Sequence, residues 1–143
     1  MGRLMSIDYG RKRCGIAVTD PLQIVATALA TVPTASLADF VKDYISREQV
    51  DEIIVGDPKM MNGEPSESVR YIRPGINRLR KVIGDSVKIV FFDERFTSTL
   101  AHRAMIDSGV KKIARRDRDS VDRIAATIIL NGYLESRNII GNR

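Results

Sequence analysis

The sequence predicts a mixed α/β domain: a five-stranded sheet with three antiparallel strands followed by two parallel ones, and helices on both faces. Three observations predict it. Arg3–Tyr9 and Arg13–Thr19 alternate in character around Gly10-Arg11-Lys12, which reads as a hairpin. Asp51–Gly56 and Ser86–Phe92 each hold a nearly continuous apolar run, as a parallel strand covered on both faces requires. Helical spacing appears between and after those runs, so that the element order is βββαβαβαα.

Each element has its own signal. After Asp20-Pro21, Gln23–Val32 is dense in Val, Ala and Thr and predicts a third strand at the sheet edge. Leu37, Phe40, Val41, Tyr44 and Ile45 share one face of a helix over Ser36–Arg47, which Ser36 and Asp39 would open as a capping box. A further helix is expected from about Pro65 to Ile83, irregular near Pro74-Gly75. Thr97–Ser108 and Asp119–Ser136 complete the set as helices. The irregular pieces, Asp57–Glu64 and Gly109–Arg118, are long for a compact domain, which points to function.

The 143 residues suit a single domain, 1–143, with 43% apolar and 29% charged residues, the balance of a globular protein. No run reaches the length of a membrane span, and Arg3-Leu4-Met5 carries no signal-peptide pattern, so no membrane partner and a cytoplasmic location are expected. Cys14 has no second cysteine to pair with and reads as a small buried residue. A net charge of +5 favours polyanionic partners, nucleic acid foremost.

Asp8 interrupts the first strand near its end, Asp93-Glu94 follows the last strand, and Asp119 and Asp122 open the last helix. Parallel strands end on one side of a sheet, so these acids can meet there. On a helical wheel Asp122 lies about 90° from the stripe of Val121, Ile124, Ala125, Ile128 and Gly132, which would put it at the border of the sheet. Carboxylates gathered from distant segments repel one another unless a cation sits among them, and hard divalent ions take oxygen ligands. Asp8, Glu94 and Asp122, with Asp119 beside them, would suit Mg2+ or Mn2+. Two such ions can activate a water and stabilise the leaving oxygen in phosphodiester cleavage. Simpler roles compete: Asp8 or Asp93 as a turn former, Asp119 as an N-cap, Asp122 as its reciprocal partner, and His102 as a packing or surface residue. The cations Lys111, Lys112, Arg115, Arg116 and Arg118 form either a solvated loop or a phosphate contact.

The ordered series Asp8-x-Gly10-x-x-Arg13-x-Gly15-x-Ala17-x-x-Asp20, "VGDPKMMNGEPSE", "DERFTST" and "SVDRIAATIIL" resembles the YqgF/RuvX family over nearly the whole chain. The resemblance implies an RNase H-like fold. It also implies metal-dependent phosphodiester hydrolysis, since members are described as Holliday junction resolvases and as nucleases in 5′-end maturation of pre-16S rRNA. Asp8 matches the first-strand acid, Glu94 the middle acid and Asp122 the last-helix acid, and Asp119 and Asp122 echo the paired acids of RuvC resolvases. Two departures stand out. Ser6 replaces a more frequent glycine, and Asp57 replaces a leucine, bringing a negative charge to a loop expected near nucleic acid.

The expected reaction is in-line attack by water on pre-16S rRNA or branched DNA, with Asp8 bridging the ions and Glu94 and Asp122 holding one each. Arg13, Arg95 and the Lys111–Arg118 loop would neutralise phosphates, while Thr97 and Ser98 would cap the following helix towards an anion. Aromatic residues are few. Tyr9 and Tyr71 are candidates to lie near nucleic acid, and recognition by shape and phosphate is expected over base stacking. Two other readings stay open. Asp8-x-Gly10…Gly15 also resembles the phosphate hairpin of actin-like and sugar-kinase proteins, which need two lobes, and a non-catalytic nucleic-acid-binding module would keep the fold without turnover. The expected assembly is a monomer or a homodimer, the latter suited to paired nicks in a two-fold junction.

Overall fold

The structure is a computed structural model that describes residues 2–57, 67–93 and 118–141, with side chains for 121–137 in the last segment. Its elements are β1 (Arg3–Tyr9), β2 (Arg13–Thr19), β3 (Ala26–Pro33), a 3-10 turn (Thr34–Ser36), α1 (Leu37–Arg47), β4 (Val50–Asp57), α2 (Val69–Ile83), β5 (Lys88–Asp93) and α3 (Arg118–Gly141). The sheet order is β3-β2-β1-β4-β5. β1 pairs antiparallel with β2, and β2 with β3, whereas β4 runs parallel to both β1 and β5. The five-stranded mixed sheet is therefore as expected, and the helix expected over 97–108 lies outside the described residues.

Alternation along β1 separates two cores. Met5, Ile7 and Tyr9 point to one face, where Val41 of α1 and Ile72, Ile76 and Leu79 of α2 cover them. Leu4 points to the other, where it joins Ala17, Ile54 and Phe92 beneath Ala126, Ile129 and Leu130 of α3. Ser6 and Asp8 share the parity of Leu4. They therefore lie on the α3 side.

Several local expectations change. β3 begins three residues later than expected because Asp20 folds residues 20–25 into a turn: its carboxylate accepts the amides of Leu22, Ile24 and Val25 at 3.1, 2.9 and 2.8 Å. Those bonds hold the Asp20 carboxyl below its usual range. Gln23 takes φ 59° within the turn. The capping box at Ser36 does not form, since Ser36 makes no side-chain cap and the 3-10 turn leads straight into α1. Thr34 is fixed instead by the hairpin, donating its hydroxyl to the Gly10 carbonyl at 2.7 Å. α2 runs unbroken through Pro74-Gly75. Gly75 is required there because a Cβ would overlap the Tyr9 hydroxyl, so the dipeptide seats a tyrosine under the helix.

The phase of α3 also differs. Its buried positions Ala126, Ile129, Leu130 and Leu134 fall four, seven, eight and twelve residues after Asp122, which places Asp122 on the sheet-facing stripe. Of the expected stripe Gly132 is buried, whereas Val121, Ile124, Ala125 and Ile128 are only half-buried. Overall apolarity favours that second stripe, but close approach is decided by small residues, and Ser6, Gly15 and Ala17 open room on the sheet for the Asp122–Ala126 side.

A polar clamp ties α3 to the sheet lower down. Tyr133 donates to Glu52 Oε2 at 2.7 Å and meets Phe92 edge-on at a centroid distance of 5.8 Å. Burial and the Glu52 carboxylate push the Tyr133 hydroxyl up to about 12. Tyr133→Phe is expected to cost about 1.5–3 kcal/mol in a denaturant titration, the worth of a hydrogen bond to a charged group; an unchanged midpoint would show that water replaces the bond at no cost.

Candidate active site

Asp8 is the penultimate residue of β1 and stands opposite Gly15 of β2 in the ladder. A Cβ on Gly15 would overlap the Asp122 carbonyl, so this glycine is where α3 comes closest to the sheet. The result is that Asp122, in the second turn of α3, is delivered beside Asp8. Ser6 reinforces the approach two residues earlier on the same face, donating its buried hydroxyl to the Ala126 carbonyl at 2.6 Å. That bond gives Ser6 a structural role that sequence reading missed, because nothing in a strand pattern shows which helix carbonyl will lie above it.

The electrostatics follow from this packing. Asp8 is drawn up from the usual 3.8 to about 6, first by burial and then by the negative charge of Asp122. Arg13, on the same face of β2 as Gly15, donates Nε to Asp122 Oδ2 at 2.7 Å. Both side chains remain partly accessible, so the pair sits at the rim of the site. Arg13 was expected to meet phosphates, and here it is committed to orienting Asp122. Asp8, by contrast, has burial and a like charge acting on it.

Of the expected site residues, Asp8, Arg13 and Asp122 are brought together. Arg118 and Asp119 lie in the first turn of α3, with side chains outside the described residues. Glu94, Arg95, Lys111, Lys112, Arg115 and Arg116 lie outside the described residues altogether, as do Thr97, Ser98 and His102. Among the described residues no three acids, histidines or cysteines converge as a metal centre. Cys14 faces the α1 and α2 side, fully buried and 3.5 Å from Thr34 Oγ1, and burial raises its thiol.

Two expectations about the surroundings are corrected. Asp57, expected to open the loop after the fourth strand, is the last residue of β4, buried on the α2 side with Arg73 Nη2 at 3.7 Å. Its neighbour in register is Asp93 of β5. Tyr9 does not face outward for nucleic acid either, since it is buried against α2 with Tyr71 at a centroid distance of 6.2 Å.

A strand-end acid beside a last-helix acid on this mixed sheet is the arrangement expected from the sequence motifs. The family model described as "RuvX: Holliday junction resolvase" matches residues 2–136. The chain belongs to the RuvX family. A relative from Phocaeicola vulgatus, named "Putative pre-16S rRNA nuclease", is 55% identical over 140 residues, covering 98% of this chain and 100% of the relative. Similarly named relatives from Parabacteroides distasonis and Flavobacterium johnsoniae are 51% and 47% identical, each over 96% of this chain and 97% and 99% of their own lengths. Among solved structures, RuvC from T. thermophilus in complex with a Holliday junction substrate aligns with TM-score 0.58 at 14% identity over 96% of each chain. The fowlpox virus Holliday junction resolvase aligns with TM-score 0.51 at 15% identity, over 94% of this chain and 98% of that one. These two likenesses establish the RNase H-like fold of the RuvX chain, and its helices among the described residues include none long and apolar enough to cross a membrane.

Proposed function

We propose that the chain is a nuclease that hydrolyses phosphodiester bonds of structured nucleic acid, acting in 5′-end maturation of pre-16S rRNA, with Asp8, Glu94 and Asp122 as its acids. The observation that carries this reading is the half-buried Asp8 carboxylate set beside Asp122, an arrangement that costs stability unless a cation relieves it. The donor set fits a hard ion: two carboxylates face each other here, and the one cysteine points to the opposite side of the sheet. Glu94 and Asp119 are the proposed further ligands for Mg2+ or Mn2+. Such an ion would supply charge neutralisation and polarisation of the phosphoryl oxygens.

The chain's own groups have distinct work. Asp8 and Asp122 would supply carboxylate oxygens where α3 comes closest to the β1–β2 hairpin. Arg13 fixes the Asp122 rotamer through its 2.7 Å bond. Arg95, Lys111, Lys112, Arg115, Arg116 and Arg118 are the proposed phosphate contacts, and a pre-rRNA substrate places the reaction in the cytoplasm. A second reading, resolution of four-way DNA junctions, is favoured by the family's description and would suit a homodimer.

One preparation tests both. Precursor rRNA and a four-way DNA junction are incubated with it at equal concentration, with and without Mg2+ or Mn2+. Metal-dependent trimming of the RNA 5′ end in preference to the junction is expected. Paired nicks in the junction alone would move the function to resolution, and cleavage of neither would leave a binding module.

A further inference from the structure

We propose that the outward face of α2 is a second phosphate-binding surface, which holds one arm of a branched or folded nucleic acid while another arm lies at Asp8 and Asp122. The inference rests on the nucleic-acid reading above and extends it to the shape of the substrate. α2 carries five cations, Arg70, Arg73, Arg78, Arg80 and Lys81, and no acid. That equals the net charge of the whole chain, +5. α1, which covers the same sheet face, is balanced by Asp39 and Asp43 against Lys42 and Arg47, and closes an Asp43–Arg47 ion pair at 2.9 Å. Like charges three or four residues apart weaken a helix. α2 bears that cost along its length, and among the described residues only Arg73 of its five cations forms an ion pair, with Asp57.

The cations are also aligned. Arg70, Arg78 and Lys81 lie on the exposed side of the helix, opposite Ile72, Ile76 and Leu79, which are buried on the sheet, while Arg73 sits on the flank, turned to Asp57 and Phe91. From Arg70 to Lys81 the stripe runs about 16 Å, matching about five phosphates of one duplex strand at ~3.4 Å each. A groove of about 420 Å³ adjoins it, between the β1–β2 hairpin, the 3-10 turn and α2, with Arg11 and Arg78 on its walls and Tyr9 at its floor. The Arg78 guanidinium sits by the Tyr9 hydroxyl, and that of Arg11 lies over the Tyr71 ring, 5.1 Å from its centroid, so both charges are at the groove.

An anionic lipid surface is the other polyanion to weigh. A membrane-binding helix needs a free apolar face, and that of α2 is used up against the sheet. Nucleic acid needs only the charge. Because α2 and Asp8 lie on opposite faces of the sheet, a straight duplex at the acids passes α2 by, whereas a second arm turning round the end of the sheet reaches it.

The test is salt-dependent binding of the full chain, in EDTA, to a four-way DNA junction and to a single duplex about one turn long. For R70Q/R78Q/K81Q the log–log salt slope on the junction is expected to fall by about 2–3, at ~0.9 per phosphate contact, and to stay at the wild-type value on the duplex. R70K/R78K/K81R keeps the charge and should keep the wild-type slope, which separates lost contacts from a damaged helix. An unchanged junction slope overturns the proposal, as does an equal fall on the short duplex. Loss of binding to phosphatidylserine vesicles with the junction slope intact would assign α2 to lipid and overturn it as well. Cleavage with Mg2+ keeps the two readings apart: a wild type that cleaves while the slope is unchanged rejects α2 alone, and one that neither cleaves nor binds rejects the nuclease reading.

Discussion

Asp8→Asn is expected to raise the stability of the metal-free protein and to abolish metal-dependent cleavage. The rise from 3.8 to about 6 in the Asp8 carboxyl corresponds to up to about 3 kcal/mol at neutral pH, the cost of holding it ionised beside Asp122. Asparagine keeps the shape and removes the charge, so the melting temperature should climb by several degrees. The sign with pH is fixed by the same shift. The folded state binds the Asp8 proton more tightly than the unfolded chain, so the Asp8 contribution to wild-type stability falls as pH rises from about 4 to about 6 and is level above that. The advantage of the variant is therefore complete above about pH 6 and vanishes below about pH 4. Mg2+ should stabilise the wild type by mass action and leave the variant unmoved. A variant that melts lower at neutral pH would make Asp8 a structural turn residue. One that folds and cleaves at the wild-type rate would remove the acids from the reaction.

How far the sequence reaches is clear from particular elements. The hairpin was legible to the residue, β1 and β2 matching Arg3–Tyr9 and Arg13–Thr19, because alternation and a glycine turn are local signals. The continuous apolar runs disclosed β4 and β5, although only β4 is buried along most of its run and β5, at the sheet edge, buries only Phe92. The start of β3 was not legible: three amides converge on Asp20, and a side-chain-built turn looks like strand by composition. Nor was the phase of α3, where the stripe free of charged residues lost to the one that carries Asp122 and Ala126. Helix orientation is a pairwise property, set by the small residues Ser6, Gly15 and Ala17 on two strands more than a hundred positions away in sequence. The same limit explains Arg13. Its charge was visible, while its partner, Asp122, emerges only when β2 and α3 are docked. Asp57 illustrates the reverse case, where strand parity alone would have put it with Val55 on the α2 side.

Gly15→Ala is expected to damage the site without touching an acid. The added methyl would occupy the position of the Asp122 carbonyl, and a helix backbone has no rotamer to yield, so α3 must lift from the sheet. The Ser6 bond to Ala126 and the Arg13 bond to Asp122 depend on that approach and would lengthen together. A loss of about 3 kcal/mol is expected, at the upper end of what overpacking costs. As the helix lifts, water reaches Asp8 and Asp122 moves away, so both causes that raise the Asp8 carboxyl weaken and its titration should shift down towards 3.8. Measured as stability against pH, the fall between about pH 4 and pH 6 expected from Asp8 in the wild type should flatten in the variant. Cleavage should drop steeply, because a misplacement of about 1 Å between reacting groups costs on the order of a hundredfold. Binding to the four-way junction should survive, since the cations of α2 and the Lys111–Arg118 segment keep their charge. A variant that retains wild-type stability, pH profile and cleavage would show that the acids are held together by something other than the contact between Gly15 and Asp122.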